Sequence, residues 1–379
     1  MPQTLPATPE VVWEHSVGFG LGSPVVGSGV VCYLDNQDGK ETVHALALAS
    51  GEEKWRVPLA TAFQDTQSAA GPRSTPVIDG DRVYAQSCAG EFGCLDLAHG
   101  KPVWGVNFVR DFGAVFFGER GAAVGASRHG YTGCPVIDGD RILVGVGGTN
   151  GASVVCFGKS DGRVIWKSQD DVPGHSGPVL TTLAGVKQAV SFTAAGVMAV
   201  AARDGALLWR LPIKSSIGRH ITTPVIVNGV VLVASHQAGL VAIRVSREGG
   251  AFKAEPIWAA KDLAINFSSP VAVGDWLYGV GPARNLVCVE VESGKLLWSK
   301  DGYFRGSAGS AYASFLVFGD RVLMLTDGGE LVLLAADPKA CRELSRAQVC
   351  GANWCNPAYA EGRLYLRDAK TLRCVRLIP

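Results

Sequence analysis

The sequence predicts an all-β chain folded as an eight-bladed β-propeller with four-stranded antiparallel blades. Three observations predict it. A unit opening on a small residue, Pro and Val recurs along the whole chain. Hairpin turns follow each opening at a regular distance. A Gly-x-x-x-Trp pattern then falls ten residues after a small residue in most units.

The openings are Ser23-Pro24-Val25, Thr75-Pro76-Val77, Cys134-Pro135-Val136, Gly177-Pro178-Val179, Thr223-Pro224-Val225 and Ser269-Pro270-Val271, with Ser314-Phe315-Leu316 and Asn356-Pro357-Ala358 as degenerate members. Blades therefore start near 24, 76, 135, 178, 224, 270, 315 and 357, a spacing of about 42 to 59 residues. Asp79-Gly80-Asp81, Asp138-Gly139-Asp140 and Asn228-Gly229 have the chemistry of tight hairpin turns. The runs after them, such as Arg141-Ile142-Leu143-Val144, are apolar and β-branched, and no segment sustains a helical period.

In the second half of each unit, Ala45, Gly51 and Trp55 set a spacing repeated by Cys94, Gly100 and Trp104, by Cys156, Gly162 and Trp166, by Ala199, Gly205 and Trp209, and by Cys288, Gly294 and Trp298. The Gly suits a turn at positive φ, and the Trp is a large apolar plug on the outer strand. Blade five inserts residues between Ala242 and Trp258, and blade seven places Leu344 at the Trp spacing. The last unit lacks an outer strand, and Val11-Val12-Trp13-Glu14-His15 supplies one. A strand over 11–16 is thus expected to complete the last blade and remove an open edge. Residues 1–379 are read as one domain.

This repeat resembles the tryptophan-docking repeat of quinoprotein dehydrogenases. It is also similar to the propeller of the assembly lipoprotein of the bacterial outer-membrane β-barrel machinery. The first resemblance implies a bound pyrroloquinoline quinone under adjacent cysteines, but no Cys-Cys pair exists here, so PQQ is not expected. The second implies a protein partner recruited through loops and no cofactor.

Composition narrows the rest. The 379 residues are 47% hydrophobic and 18% charged, with a formal net charge of +1, which gives no reason to expect nucleic acid or an anionic membrane surface as partner. No apolar run is long enough for a spanning helix. The start, Met1-Pro2-Gln3-Thr4-Leu5-Pro6, carries no basic or apolar leader and no lipobox Cys. The expected location is periplasmic or secreted if a signal was removed, and cytoplasmic otherwise. A monomer is expected. Of ten Cys, Cys94, Cys156, Cys288 and Cys374 hold the small-residue position and read as buried hydrophobes. Cys88 with Cys94, and Cys350 with Cys355, flank loops and are candidate disulfides in an oxidising compartment.

Candidate site residues gather just before the blade openings: Arg73, Arg128, His129, Tyr131, His175, Arg219, His220 and Asn266, with Tyr312, Asn353 and Trp354 in matching places. His236 and Gln237 lie in a second-to-third strand loop that leads toward His220. His129, His175 and His220 are the candidates for acid–base work or for holding a divalent metal. The others are candidates for binding a small polar or carbohydrate ligand. The longest connection, about Gly105 to Gly130, holds Phe112, Phe116, Phe117, Glu119 and Arg120. It reads either as a lid or sugar-stacking wall, or as a loop held down by its own rings. Three functions stay open: a binding or scaffold propeller, a lyase or hydrolase on a small polar substrate, and a quinoprotein dehydrogenase.

Overall fold

The computed structural model describes residues 3–148, 150–307 and 310–378. Met1 and Pro2, the first residues of the start read above, lie outside them. The chain forms eight four-stranded antiparallel sheets, the blades of an eight-bladed propeller. It divides into two compact units, His15–His220 with the first four blades, and Met1–Glu14 plus Ile221–Pro379 with the other four.

Blade one shows the pattern: Val25–Gly27, Val30–Gln37, Lys40–Ala47 and Glu53–Thr61 pair in chain order. The first strands of the later blades begin at Val77, Val136, Val179, Val225, Val271, Ala313 and Ala358, beside the openings read from the sequence. The two middle strands are covered on both faces, so they read as unbroken apolar runs; Val230–Ser235 is buried throughout. The last sheet is completed by Glu10–Ser16 beside Thr371–Arg376, with Arg373 bound to Glu14 at 2.6 Å and Arg376 to Glu10 at 3.3 Å. The blade-five insertion lengthens the outer hairpin, whose strands Gly239–Glu248 and Ala251–Ala260 turn at Gly249-Gly250.

Within each unit the Trp residues join consecutive blades. The indole N–H of Trp55 donates to the Leu97 carbonyl (2.9 Å), that of Trp104 to Lys159 (2.8 Å), and that of Trp166 to Ala202 (3.2 Å). Trp258 and Trp298 do the same to Val291 and Asp337. Each of the first four rings lies on the turn glycine of the following blade. A Cβ on Gly205 would sit 2.5 Å from the Trp166 ring, and the residue's φ is +74°. Two independent constraints therefore demand glycine there. Trp209 donates instead to Gln188 Oε1 of its own blade at 2.6 Å.

Blade seven departs from the sequence reading. Each of the six repeat Trp pairs across its hairpin just before a one-residue register shift, as Cys94 with Trp104 and Cys288 with Trp298. In blade seven the residue in that place is Ser345, paired with Leu333, and Leu344 is the bulged residue. Leu333 and Ser345 are twelve residues apart, against ten for Cys288 and Trp298 in blade six, so two added turn residues displace the spacing. Leu5 packs into the cluster that Leu344 borders, and its N–H donates to Ser345 Oγ at 2.8 Å. The N-terminal segment thus fills space that an indole occupies elsewhere.

All ten cysteines are free thiols. The candidate pairs fail because their members face different partners. Cys94 pairs across strands with Tyr84 and Trp104, whereas the Cys88 thiol faces the Gly71 carbonyl. Cys355 is held in a turn by Asn353, whose Oδ1 accepts its N–H at 2.9 Å.

Replacing Trp166 with Ala is expected to cost about 3–5 kcal/mol, since it removes a buried indole with its hydrogen bond. Replacing Val164, exposed on the same strand, is expected to cost no more than about 0.5 kcal/mol. Chemical unfolding midpoints of the two variants check this.

Candidate functional site

The segments that precede consecutive blades grip one another through backbone and hydroxyl contacts. The Leu21 N–H donates to the Pro72 carbonyl, and the Ser23 N–H to Thr75 Oγ1. Thr132 Oγ1 donates to the His175 carbonyl at 2.6 Å, and the His175 N–H donates to the His220 carbonyl at 2.7 Å. Close approach is possible because Gly174 lacks a Cβ, which would sit 2.3 Å from the Phe192 carbonyl oxygen and 2.7 Å from that of His220. This lacing brings Arg73, His129, His175, Arg219 and His220 together within the His15–His220 unit.

Arg73 is the hub. Its Nη1 donates to Asp65 Oδ2 (2.7 Å) and to the His129 carbonyl (2.8 Å), and its Nη2 donates to Ser68 Oγ (2.7 Å). The guanidinium also lies 5.3 Å from the Phe63 ring centroid. Burial raises the Asp65 carboxyl, but Arg73 and the Gln67 N–H outweigh it and hold the group well below the usual carboxylate range. Asp65 Oδ2 also lies 3.2 Å from His129 Nδ1. Facing an ionised acceptor, Nδ1 carries the proton, which leaves Nε2 as a bare lone pair. Glu119 accepts from the Thr66 N–H and hydroxyl, both at 2.9 Å, and comes within 3.9 Å of His129 Nδ1. Behind Arg73, the buried Glu41 accepts from the N–H groups of Cys88 and Phe63, and desolvation raises its pKa.

The three histidines do not form one catalytic or metal-binding set. His220 is fully buried and stacks on Phe192 at 4.1 Å and 5°. Its Nδ1 bonds the Thr193 carbonyl at 2.6 Å and its Nε2 lies 3.2 Å from Ser215 Oγ, so both nitrogens are engaged in holding the fold. His129 and His175 do approach, with ring centroids 5.7 Å apart. Burial, reinforced by His129, Arg73, Arg219 and His220, pushes the His175 imidazole down to about 3. Burial lowers His129 and Arg219 as well, although Asp65 partly offsets the effect on His129. Among the described residues, a different trio, Asp65, Glu119 and His129, places its donor atoms within 4.8 Å of one another, close enough to share an ion. Arg73 already supplies a positive charge to that trio. Asp65 escaped the sequence reading, and Glu119 entered it only as part of the long connection, because neither stands just before a blade opening; the Arg73 guanidinium and the loop fold bring them in.

Of the remaining candidates in this unit, Tyr131 is structural. It is buried against Phe108 and its hydroxyl donates to the Val146 carbonyl at 2.8 Å. Arg128 is half-buried on the helical turn Gly125–His129. The long connection forms that turn and another at Phe108–Phe112. Its rings do not make a sugar-stacking wall. Phe112 packs edge-on to Phe157, Phe116 packs on Phe63, and Phe117 alone of the three is turned outward.

In the other unit, Tyr312 stacks on Trp354 at 5.3 Å and 9°, and Phe267 meets the same indole edge-on. Asn353 is buried and closes its own turn, donating to the Cys355 carbonyl at 3.1 Å. His236 and Asn266 are half-buried, and Gln237 is exposed.

The family model described as outer membrane protein assembly factor BamB matches residues 39–300. The chain is 24% identical over 349 residues to outer membrane protein assembly factor BamB of Yersinia pestis, covering 86% of this chain and 80% of that one. BamB from Moraxella catarrhalis superposes with a TM-score of 0.63 at 15% identity, over 97% of this chain and 100% of that one. The quinohemoprotein alcohol dehydrogenase from Comamonas testosteroni gives 0.64 at 14% identity, over 97% of this chain and 76% of the enzyme.

The depressed His175 has a consequence for stability. Between about pH 6.5, where a His in the unfolded chain titrates, and about pH 3, the unfolded chain binds a proton that native His175 refuses. Stability is therefore expected to fall as pH drops through that window. Replacing His175 with Gln is expected to flatten the slope by about one proton, as read from melting temperature against pH.

Proposed function

The chain belongs to the PQQ-like β-propeller family, and we propose that it is a non-catalytic binding propeller that docks a protein partner in outer-membrane protein assembly. The supporting observation is the way the connection between blades two and three is built. Several of its polar groups already have partners: Arg110 binds Asp111, Glu119 accepts from the Thr66 hydroxyl, and the His129 carbonyl accepts from Arg73. Its apolar side chains Val109, Val115 and Phe117 are turned out, with Phe117 56% exposed.

The backbone under them is pinned. The N–H groups of Phe117 and Gly118 both donate to the Ser127 carbonyl, that of Gly125 to Ile217, and that of Ala126 to Pro173. Large apolar side chains displayed on an already ordered backbone suit a protein contact, because little entropy is lost on binding. An enzyme reading finds less support. His220 is fixed in the fold, and His129 is tied to Asp65. In this reading residues 1–379 act as one monomeric domain with a tryptophan-docking scaffold, no quinone is bound, and the location is the periplasm.

The test is expression of the chain in its host after removal of the native copy, with outer-membrane barrel proteins quantified. The native sequence is expected to restore their levels. Phe117→Asp combined with Val109→Asp is expected to keep the native circular dichroism spectrum and to weaken binding to the purified assembly machinery about tenfold or more. Barrel-protein levels that do not depend on the chain would refute the reading.

A further inference from the structure

The lacing of the blade openings leaves polar atoms that nothing in the protein satisfies. His129 Nε2, His175 Nε2 and Arg73 Nε are each shut off from solvent without a hydrogen-bond partner. The side chains of Arg73 and His129 are only 9% and 8% exposed. A buried guanidinium N–H or imidazole nitrogen left unmatched is costly, and such atoms in native proteins call for an explanation. The Arg73 guanidinium is tied at its other nitrogens to Asp65, Ser68 and the His129 carbonyl, so its Nε–H is fixed in place.

The charges select the ligand. The groups acting most strongly on His175 are the Arg73 and Arg219 guanidiniums and the rings of His129 and His220. On His129 they are Asp65 and Glu119 against Arg128, and Glu41 acts on Arg73 from behind. Asp65 and Glu119 are already engaged by Arg73, Thr66 and the Nδ1 side of His129. The cations that His175 faces are the Arg73 and Arg219 guanidiniums, which disfavours a metal ion and favours an anion.

We propose that Arg73, His129 and His175 line a binding site for a small carboxylate or phosphate anion. The Arg73 Nε–H donates to one ligand oxygen. His175 takes a proton from solvent as the anion arrives, and its imidazolium Nε2–H donates to the ligand as well. His129 Nε2, bare because its proton faces Asp65, accepts from a protonated ligand oxygen or gains a proton in the same way. The site uses none of the outward apolar residues of the partner contact.

The test uses the purified full chain in chloride-free buffer, titrated with acetate and, separately, with inorganic phosphate. Imidazole nitrogen signals are followed by NMR. The signals of His175 and His129 are expected to move saturably toward the protonated form, while those of the exposed His99 stay in place. His175→Gln is expected to weaken binding about tenfold, the loss typical of a charge-assisted hydrogen bond. His175 and His129 signals that do not respond in the native protein overturn the proposal. So does undiminished affinity in a His175→Gln variant that keeps the native spectrum.

Discussion

At four of the blade junctions an indole lies on the turn glycine of the next blade and its N–H reaches a carbonyl of the same turn. This contact couples the hydrophobic and the polar requirements of the interface. The ring buries a large apolar area, and the hydrogen bond fixes its orientation. Because the turn glycine sits at positive φ and beneath the ring, the turn cannot drift without losing both terms. The openings of the blades are thereby set at a constant offset, which lets their backbones lace hand over hand. The buried polar cluster is held by that lacing, in which the His175 N–H meets the His220 carbonyl at 2.7 Å.

Repeats are legible where one residue type answers one constraint. Gly205 must be glycine for conformational and steric reasons together, and Trp166 has one role, so the spacing between them shows in the sequence. Ser345 shows the limit. Two added turn residues move the equivalent position to Ser345, just past the bulge at Leu344. The compensation by Leu5 comes from 340 residues away, and no local pattern encodes it.

The candidate site was legible by position more than by role. Arg73, His129 and His175 precede blade openings, and the structure gathers them. Their chemistry follows from Asp65 and Glu119, which lie in connections without a repeat signature, and from burial, which a sequence does not display. His220 illustrates the difference. It occupies the same kind of position as His175, yet a ring beneath it and acceptors at both nitrogens turn it into a packing residue.

The strand Glu10–Ser16 has a consequence for how the molecule is made. It pairs with Thr371–Arg376, so the Arg373–Glu14 ion pair joins residues 359 positions apart. On the ribosome this strand emerges 359 residues ahead of its partner, as measured from Glu14 to Arg373, so Val11, Val12 and Trp13 wait unpaired while that stretch is made. Closing so long a loop is slow compared with forming a local hairpin. A chain released before Thr371–Arg376 is made keeps its strand Glu10–Ser16 with no sheet to join, and that strand marks it for capture by a chaperone or for aggregation.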